Sequence, residues 1–165
     1  MKNILFIIAL FLCTKSFAQS SEIKLNYSPS GILEFPTGTT KGIILPIVST
    51  LPASPTNGTL LMDKNDLKVK AYQNNAWLNL SDAGSIQNVT LNTATETGTN
   101  GIIIGSTTTT ANGVLVLESS NKALVLPTIA NPHTTVKSPY AGMMCYDSVS
   151  KSVAVFDGLV WNYWK

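Results

Sequence analysis

The stretch KGIILP, Lys41–Pro46, is followed after a gap by GTLLMD, Gly58–Asp63, and these two segments decide the fold because they occur twice. The second occurrence reads KALVLP, Lys122–Pro127, and GMMCYD, Gly142–Asp147. Repetition within a chain indicates that one small structural unit is used more than once. The sequence therefore predicts a module built from short apolar segments and present in two copies.

The distance to the next tryptophan is also repeated. Trp77 and Trp161 each stand fourteen residues after the last aspartate of their copy. A similar tripeptide also precedes each copy, GIL at Gly31–Leu33 and GVL at Gly113–Leu115. Together with the tryptophan spacing, it predicts a first repeat at 19–80 and a second at 101–165. The polar residues 81–100 between them are expected to form a connector, with a weak strand at 89–91.

Short apolar runs bounded by turn residues fill both copies, and no long stretch has a sustained helical period. In the first copy Leu67–Tyr72 and Ala76–Leu80 are predicted strands around the turn QNN. In the second copy Ser152–Phe156 and Val160–Trp164 flank Asp-Gly, a strong hairpin signal. The fold class is predicted to be all-β, with each copy ending in a three-stranded antiparallel meander.

Two proline-bearing stretches, Ile47–Asn57 and Thr128–Ser138, are predicted to be loops, because proline cannot donate a hydrogen bond to a sheet. A three-stranded meander is too small to be stable alone, so each must pack against something else. The two copies could pack on each other, or each could pack on neighbouring chains. The second arrangement predicts a symmetric oligomer, of which a trimeric fibre is the simplest elongated form.

The N-terminus has the pattern of a secretory signal peptide at 1–18. Lys2 supplies the positive charge, Ile4–Cys13 the apolar core, and Ser16 and Ala18 the small residues before the cleavage site. The apolar core is too short to span a membrane, so no membrane span is expected after cleavage. The protein is predicted to be exported to the outer cell surface or the medium, with the periplasm as the alternative.

Charge excludes two classes of partner. The eleven basic residues are all lysines, and Lys2 and Lys15 leave with the signal peptide, so nine lysines face nine Asp and Glu residues. Nucleic-acid binding and electrostatic attraction to an anionic membrane both need basic patches, which this neutral chain lacks.

Cysteine usage predicts no disulfide framework. Of the two cysteines, Cys13 lies in the signal peptide and Cys145 lies in an apolar strand, where it is expected to be a small buried residue. Lipidation at Cys13 is the alternative to simple cleavage, and it ranks lower because the preceding Leu12 is bulky.

No catalytic or metal-binding constellation is recognisable, so no enzyme activity, metal or cofactor is predicted. His133 is the only histidine, and it is expected to be a solvated loop residue. Zinc would require more His or Cys ligands. Asp63 and Asp147 occupy equivalent positions, but each stands where a turn begins, where aspartate commonly accepts backbone hydrogen bonds.

Aromatic residues are the remaining candidates for a functional surface. Trp77, Trp161, Tyr163 and Trp164 could stack on sugars, or they could fill a thin core or an oligomer interface. Packing is the preferred interpretation.

The combined pattern KGxLLP, GxxxYD and GxxW resembles repeats of phage tail-fibre and tail-spike proteins and of exported surface proteins of Bacteroidetes-type bacteria. Relatives usually have Pro-Arg after the first segment, whereas this chain has Pro46-Ile47 and Pro127-Thr128. The resemblance implies a β-rich, often trimeric, structural or attachment module. Asp147-Ser148-Val149 is similar to the O-glycosylation pattern of such bacteria, which makes Ser148 a candidate acceptor.

The leading hypothesis is a secreted or cell-surface, non-enzymatic structural or adhesin-like protein. It is expected to self-associate, or to contact surface glycans or proteins. The alternative is a secreted carbohydrate-binding module that uses exposed aromatic residues. An exported hydrolase is the third hypothesis, and no site in the sequence supports it.

Overall fold

The computed structural model describes residues 23–25, 28–35, 38–91 and 101–165. The predicted signal peptide and the end of the predicted connector lie outside these ranges. The described residues form fourteen short strands and one helix of a single turn: β1 (Lys24–Leu25), β2 (Gly31–Glu34), β3 (Ile43–Ile44), β4 (Ile47–Val48), β5 (Leu60–Asp63), β6 (Lys68–Gln73), β7 (Ala76–Asn79), β8 (Ile102–Ile104), β9 (Leu115–Leu117), β10 (Ala123–Leu124), β11 (Thr128–Ile129), α1 (Pro132–Thr135), β12 (Met143–Asp147), β13 (Ser152–Phe156) and β14 (Trp161–Trp164). The prediction of an all-β chain is confirmed.

The first larger sheet has the order β4-β5-β6-β7. The antiparallel meander β5-β6-β7 was predicted, whereas β4, which pairs with β5 in parallel, was not. The turn between β6 and β7 consists of Asn74 and Asn75, both with positive φ (51° and 59°). Two left-handed residues give the turn a twist that matches the strands, and asparagine tolerates this conformation well.

The second larger sheet repeats this arrangement in the order β11-β12-β13-β14. β11 is parallel to β12, and β12, β13 and β14 are antiparallel. A further strand, β3, pairs antiparallel with the first residues of β12. The predicted three-stranded meander is therefore the centre of a five-stranded sheet.

The two sheets correspond in register as well as in strand order. Val48 is opposite Asp63 in the first sheet, and Ile129 is opposite Asp147 in the second. The first residue after each hairpin turn of β5-β6 and β12-β13 is five positions beyond that aspartate in both sheets. The division into repeats at 19–80 and 101–165 stays a prediction, because the two sheets are joined in one core.

That shared core contains buried side chains from both sheets. Met62, Val69 and Leu80 of the first sheet form one cluster with Met144 and Val155 of the second. A smaller cluster lies within the second sheet: Ile129, Met143, Cys145 and Ala154. The two meanders thus cover each other, which was one of the two packing arrangements that the sequence left open.

The chain after the first sheet lies against both sheets as far as it is described. Gly84 N–H donates to the carbonyl of Leu67 (2.8 Å), and Ser85 N–H donates to the carbonyl of Asp157 (2.8 Å). Val89 packs against the shared core, but the strand predicted at 89–91 is wrong, since no strand forms there. An apolar side chain that packs singly on a core does not need a strand to hold it.

The remaining strands form two small sheets. β2 lies between β1 and β10, antiparallel to the first and parallel to the second. β8 and β9 form a parallel pair on their own. No helix in the described ranges is long and apolar enough to cross a membrane.

The loop predictions at 47–57 and 128–138 were wrong in part. β4 and β11 begin directly after Pro46 and Pro127, whose carbonyls accept the N–H groups of Met62 and Tyr146 (both 2.9 Å). A proline lacks a donor but keeps its acceptor, so the ladder continues through it. The second stretch also contains α1.

Candidate functional site

The edge strand β14 carries three of the four aromatic residues predicted to contact glycans or a partner. Alternate residues of a strand point to opposite faces. Trp161 and Tyr163 therefore share one face, and Trp164 lies on the other. Trp77 lies on β7 of the first sheet, so the structure does not gather all four residues into one strand.

Trp161 is half-buried against the core of the second sheet. It lies opposite Phe156, with ring centroids 5.4 Å apart, and it packs on the cluster that contains Cys145. Trp77 has the matching place in the first sheet, opposite Tyr72 at 5.2 Å. Aromatic cross-strand pairs of this kind stabilise a thin sheet.

Tyr163 and Trp164 are the more accessible of the four, with exposed fractions of 41% and 44%. The Tyr163 hydroxyl lies 2.9 Å from Nδ1 of His133. Burial and then the negative charge of Asp147 raise the pKa of Tyr163, so its phenol stays protonated at neutral pH and can donate to that nitrogen. A glycan site at these residues stays a prediction.

His133 is exposed, as predicted, but it lies in α1 and not in an irregular loop. Pro132 stands at the start of this helical turn, a position that proline favours. Pro132 was therefore a signal in the sequence for the start of a helical turn. The contact of His133 with Tyr163 joins residues thirty positions apart and had no local signal.

Asp147 is nearly inaccessible, and its carboxylate is occupied by backbone donors. Its Oδ1 accepts the N–H groups of Val149 (2.9 Å) and Asn131 (3.0 Å). Burial alone would raise the pKa of Asp147, but these bonds and one from the Ser150 side chain lower it below its ordinary value. The predicted turn role of Asp147 is confirmed.

Asp63 has the same turn geometry, since its Oδ1 accepts the N–H of Asn65 at 2.9 Å. Lys70 on β6 adds an ion pair, with Nζ 3.1 Å from Asp63 and 2.6 Å from Asp66. Burial opposes ionisation of Asp63, but the bonds from Asn65 and Lys70 outweigh it and lower the pKa. The carboxylates of Asp63 and Asp66 thus stabilise the β5-β6 hairpin.

Ser148, the candidate glycosylation site, is half-buried in the turn between β12 and β13. Its N–H donates to the carbonyl of Ile129 at 3.2 Å. The backbone at this position is fixed by β11, and modification of the hydroxyl stays a prediction.

Cys145 is fully buried, as the sequence predicted. Burial, followed by the charge of Asp147, raises the pKa of its thiol to about 12, so the reactive thiolate is suppressed.

The described residues contain no group of three or more His, Cys, Asp or Glu side chains that could hold a metal ion. A small cavity between Val89 and Tyr140 has a volume of about 40 Å³. This is room for a water molecule or two, whereas ligand pockets begin at about 300 Å³.

The strands β8 and β9, which lie between the two larger sheets in the sequence, expose large apolar side chains. On β8, β9 and the residue before β9, the exposed fractions are 67% for Ile102, 61% for Val114 and 45% for Leu115. Val125, directly after β10, is also exposed. Exposed apolar residues that adjoin one another, as Ile102 and Leu115 do, indicate an interaction surface. We call Ile102, Val114 and Leu115, which adjoin one another in the β8-β9 pair, the apolar strand surface.

Residues 103–165 match the family model described as a phage tail like trimerisation region. No curated protein and no solved structure matches the chain. The matched residues include β9 to β14 and most of the apolar strand surface. The similarity supports a tail-fibre-like structural protein that self-associates as a trimer, and the family is a structural one, not an enzymatic one.

Proposed function

We propose that this chain is an exported structural protein that works as a trimer at the cell surface or in the medium, in an adhesin-like role. The observation that carries the proposal is the match of residues 103–165 to a trimerisation region. The matched segment includes Val114 and Leu115, whose apolar side chains are exposed in the single chain.

The apolar strand surface supports association on physical grounds. Burying a valine, leucine or isoleucine side chain that water had covered contributes about 1.5–3 kcal/mol. Ile102 and Leu115 are direct neighbours in the β8-β9 pair, so one partner can cover both. The neutral charge of the processed chain adds no electrostatic repulsion between identical copies.

Export is supported by the signal-peptide pattern at 1–18. The proposed structural and adhesin-like role at the cell surface is based on the resemblance to tail-fibre-like surface proteins. The carboxylates of Asp63 and Asp147 are used for turns and an ion pair, which agrees with a structural role.

The test is the absolute mass of the full chain, measured by light scattering after size exclusion. We expect three times the mass of one chain. Leu115→Lys should reduce the mass to that of a monomer, because a charge would enter the buried interface without a partner. The matched control is Thr110→Lys, which adds the same charge at an exposed polar position. A monomeric wild-type chain would contradict the proposal.

A further inference from the structure

The edge of β12 in the second sheet is paired with β3, a strand from the first sequence repeat. β3 pairs with the beginning of β12, with Ile44 opposite Met143 and Ile43 opposite Met144. Leu45 N–H extends this pairing by donating to the carbonyl of Gly142 at 3.0 Å. The edge of β12 at Gly142–Met144 is thus covered by the strand of the first KGIILP segment.

The equivalent edge of the first sheet lies at Gly58–Leu60. Gly58 and Gly142 have the same backbone role: both have positive φ (95° and 82°), and their N–H groups donate to the carbonyls of Tyr72 and Phe156 (both 2.8 Å). A side-chain carbon built on Gly142 would lie 3.4 Å from the Leu45 carbonyl oxygen, whereas one on Gly58 meets nothing within 4 Å. Among the described residues, nothing therefore occupies at Gly58 the place that Leu45 occupies at Gly142.

Within the part of the chain that the structure describes, the Gly58 carbonyl accepts no backbone hydrogen bond and no strand other than β4 pairs with this side of β5. Met62, two residues after Leu60, donates its N–H to Pro46 on that same side. Since backbone groups alternate in direction along a strand, those of Leu60 point toward the open edge. Open edges of this kind accept further strands.

The strand that would fit is β10, from the second copy of the KGIILP segment. Ala123 and Val125 direct their N–H groups to β2, where they donate to the carbonyls of Ser30 (2.8 Å) and Leu33 (2.9 Å). By alternation, Leu124 and Leu126 direct theirs to the opposite side. Among the described residues the Leu126 N–H donates to no backbone carbonyl.

β3 and β10 have equivalent sequences, but they pair through opposite edges: β3 through the edge that includes the Leu45 N–H, and β10 through the edge that includes the Val125 N–H. Leu45 and Leu126 are equivalent residues in the two copies, immediately before Pro46 and Pro127. Leu45 is bonded to Gly142, whereas the Leu126 N–H and the Gly58 carbonyl have no backbone partner in the described ranges. Even the exposure pattern agrees, because Ile44 and its counterpart Val125 are both exposed apolar residues.

We propose that β10 of one chain adds to the Gly58–Leu60 edge of β5 in a second copy of this chain. This pairing reproduces between chains the β3–β12 pairing found within one chain, with Val125 opposite Thr59 and Leu124 opposite Leu60. It rests on the proposed function, since it adds a specific strand pairing to the proposed association of chains. The contact is head-to-tail, and such contacts close into a ring when the rotation between copies allows it.

The experiment is a disulfide trap between two full-length chains that carry different affinity tags. One chain has Thr59→Cys and the other has Val125→Cys, so a bridge between the new cysteines can form only between chains. Both chains also carry Cys13→Ser, which leaves the buried Cys145 as the only other thiol. The aligned residues would form a pair without hydrogen bonds between them, about 4.5 Å apart at Cα, which a disulfide can bridge.

After co-expression and mild oxidation, we expect a dimer that carries both tags on a non-reducing denaturing gel. The matched control replaces Val125→Cys by Leu124→Cys. A shift by one residue moves the side chain to the other face of the strand, so the dimer band should be lost. An equal band in the control would overturn the proposed register.

Light scattering on the wild-type chain separates the two proposals. A trimer without the Thr59–Val125 bridge would overturn the β10–β5 contact and leave the proposed function standing. A bridge between Met143→Cys and Val125→Cys chains would place β10 on β12 in exchange for β3, and it would also overturn the contact. A monomer would overturn both proposals.

Discussion

Asp147 shows at the scale of one residue how a buried charge stabilises this fold. Only 1% of its surface is exposed, and burial alone would raise its pKa. Hydrogen bonds from Val149, Ser150 and Asn131 more than offset this effect, so the pKa lies below the ordinary value of 3.8. A carboxyl group with a lowered folded pKa contributes stability above its unfolded pKa and loses it as the pH falls through the folded value.

We therefore expect the free energy of unfolding to decrease as the pH falls below about 4. Asp147→Asn should be less stable at pH 7, by about 1–3 kcal/mol, because it weakens charge-assisted bonds to backbone donors. It should also show a shallower loss of stability in acid. Urea unfolding between pH 7 and pH 3 measures both effects. Asp82→Asn, at an exposed position, is the control, and equal acid slopes for wild type and Asp147→Asn would contradict the assignment.

The turn roles of Asp63 and Asp147 could be predicted because their bonds are local. Each carboxylate accepts an N–H two residues further along the chain. The burial of Lys70 could not be predicted, because strand alternation puts this residue on the polar face. Its ammonium is covered only when Asp63 on the neighbouring strand and Asp66 in the turn close over it.

At the scale of elements, the hairpin β5-β6 depends on that ion pair. The position of Lys70 in the first sheet corresponds to the buried Ala154 in the second, so one sheet holds a charge where the other holds a small apolar residue. Lys70→Met would leave the Asp63 carboxylate buried without its cation. Removing one partner of a buried pair is expected to lower the free energy of unfolding by about 3 kcal/mol.

Urea unfolding of Lys70→Met measures this loss. Lys68→Met, on the same strand but outside the ion pair, is the matched control and should change the stability little. The double variant Asp63→Asn/Lys70→Met should recover part of the loss, because no buried charge remains. A single variant as stable as the wild type would show that the pair contributes nothing net.

The strands of both meanders could be predicted within one or two residues, because alternation and turn residues are written locally in the sequence. β4 and β11 could not. Each has two residues, follows a proline, and exists only because β5 or β12 offers a parallel partner. For the same reason, no pattern in the KGIILP segment indicates that β3 pairs with β12 while β10 pairs with β2.

At the scale of the whole molecule, the shared core and the apolar strand surface have different consequences for stability. Met62 and Met144 come from different sheets but belong to one cluster, so the sheets should unfold together in one transition. In the proposed trimer, the apolar strand surface is covered by a neighbouring chain. A folded state that is stabilised by association becomes more stable as the concentration of chains rises.

Thermal unfolding of the full chain should therefore show one transition whose midpoint rises with protein concentration. Leu115→Lys should unfold at a lower temperature and lose the concentration dependence, because it removes the association and leaves the shared core intact. Thr110→Lys should behave like the wild type. Differential scanning calorimetry over a hundredfold range of protein concentration measures the midpoint of each variant. A midpoint that does not move in the wild type would mean that the apolar strand surface stays in water when the protein folds, and that the two sheets are stable without a partner chain.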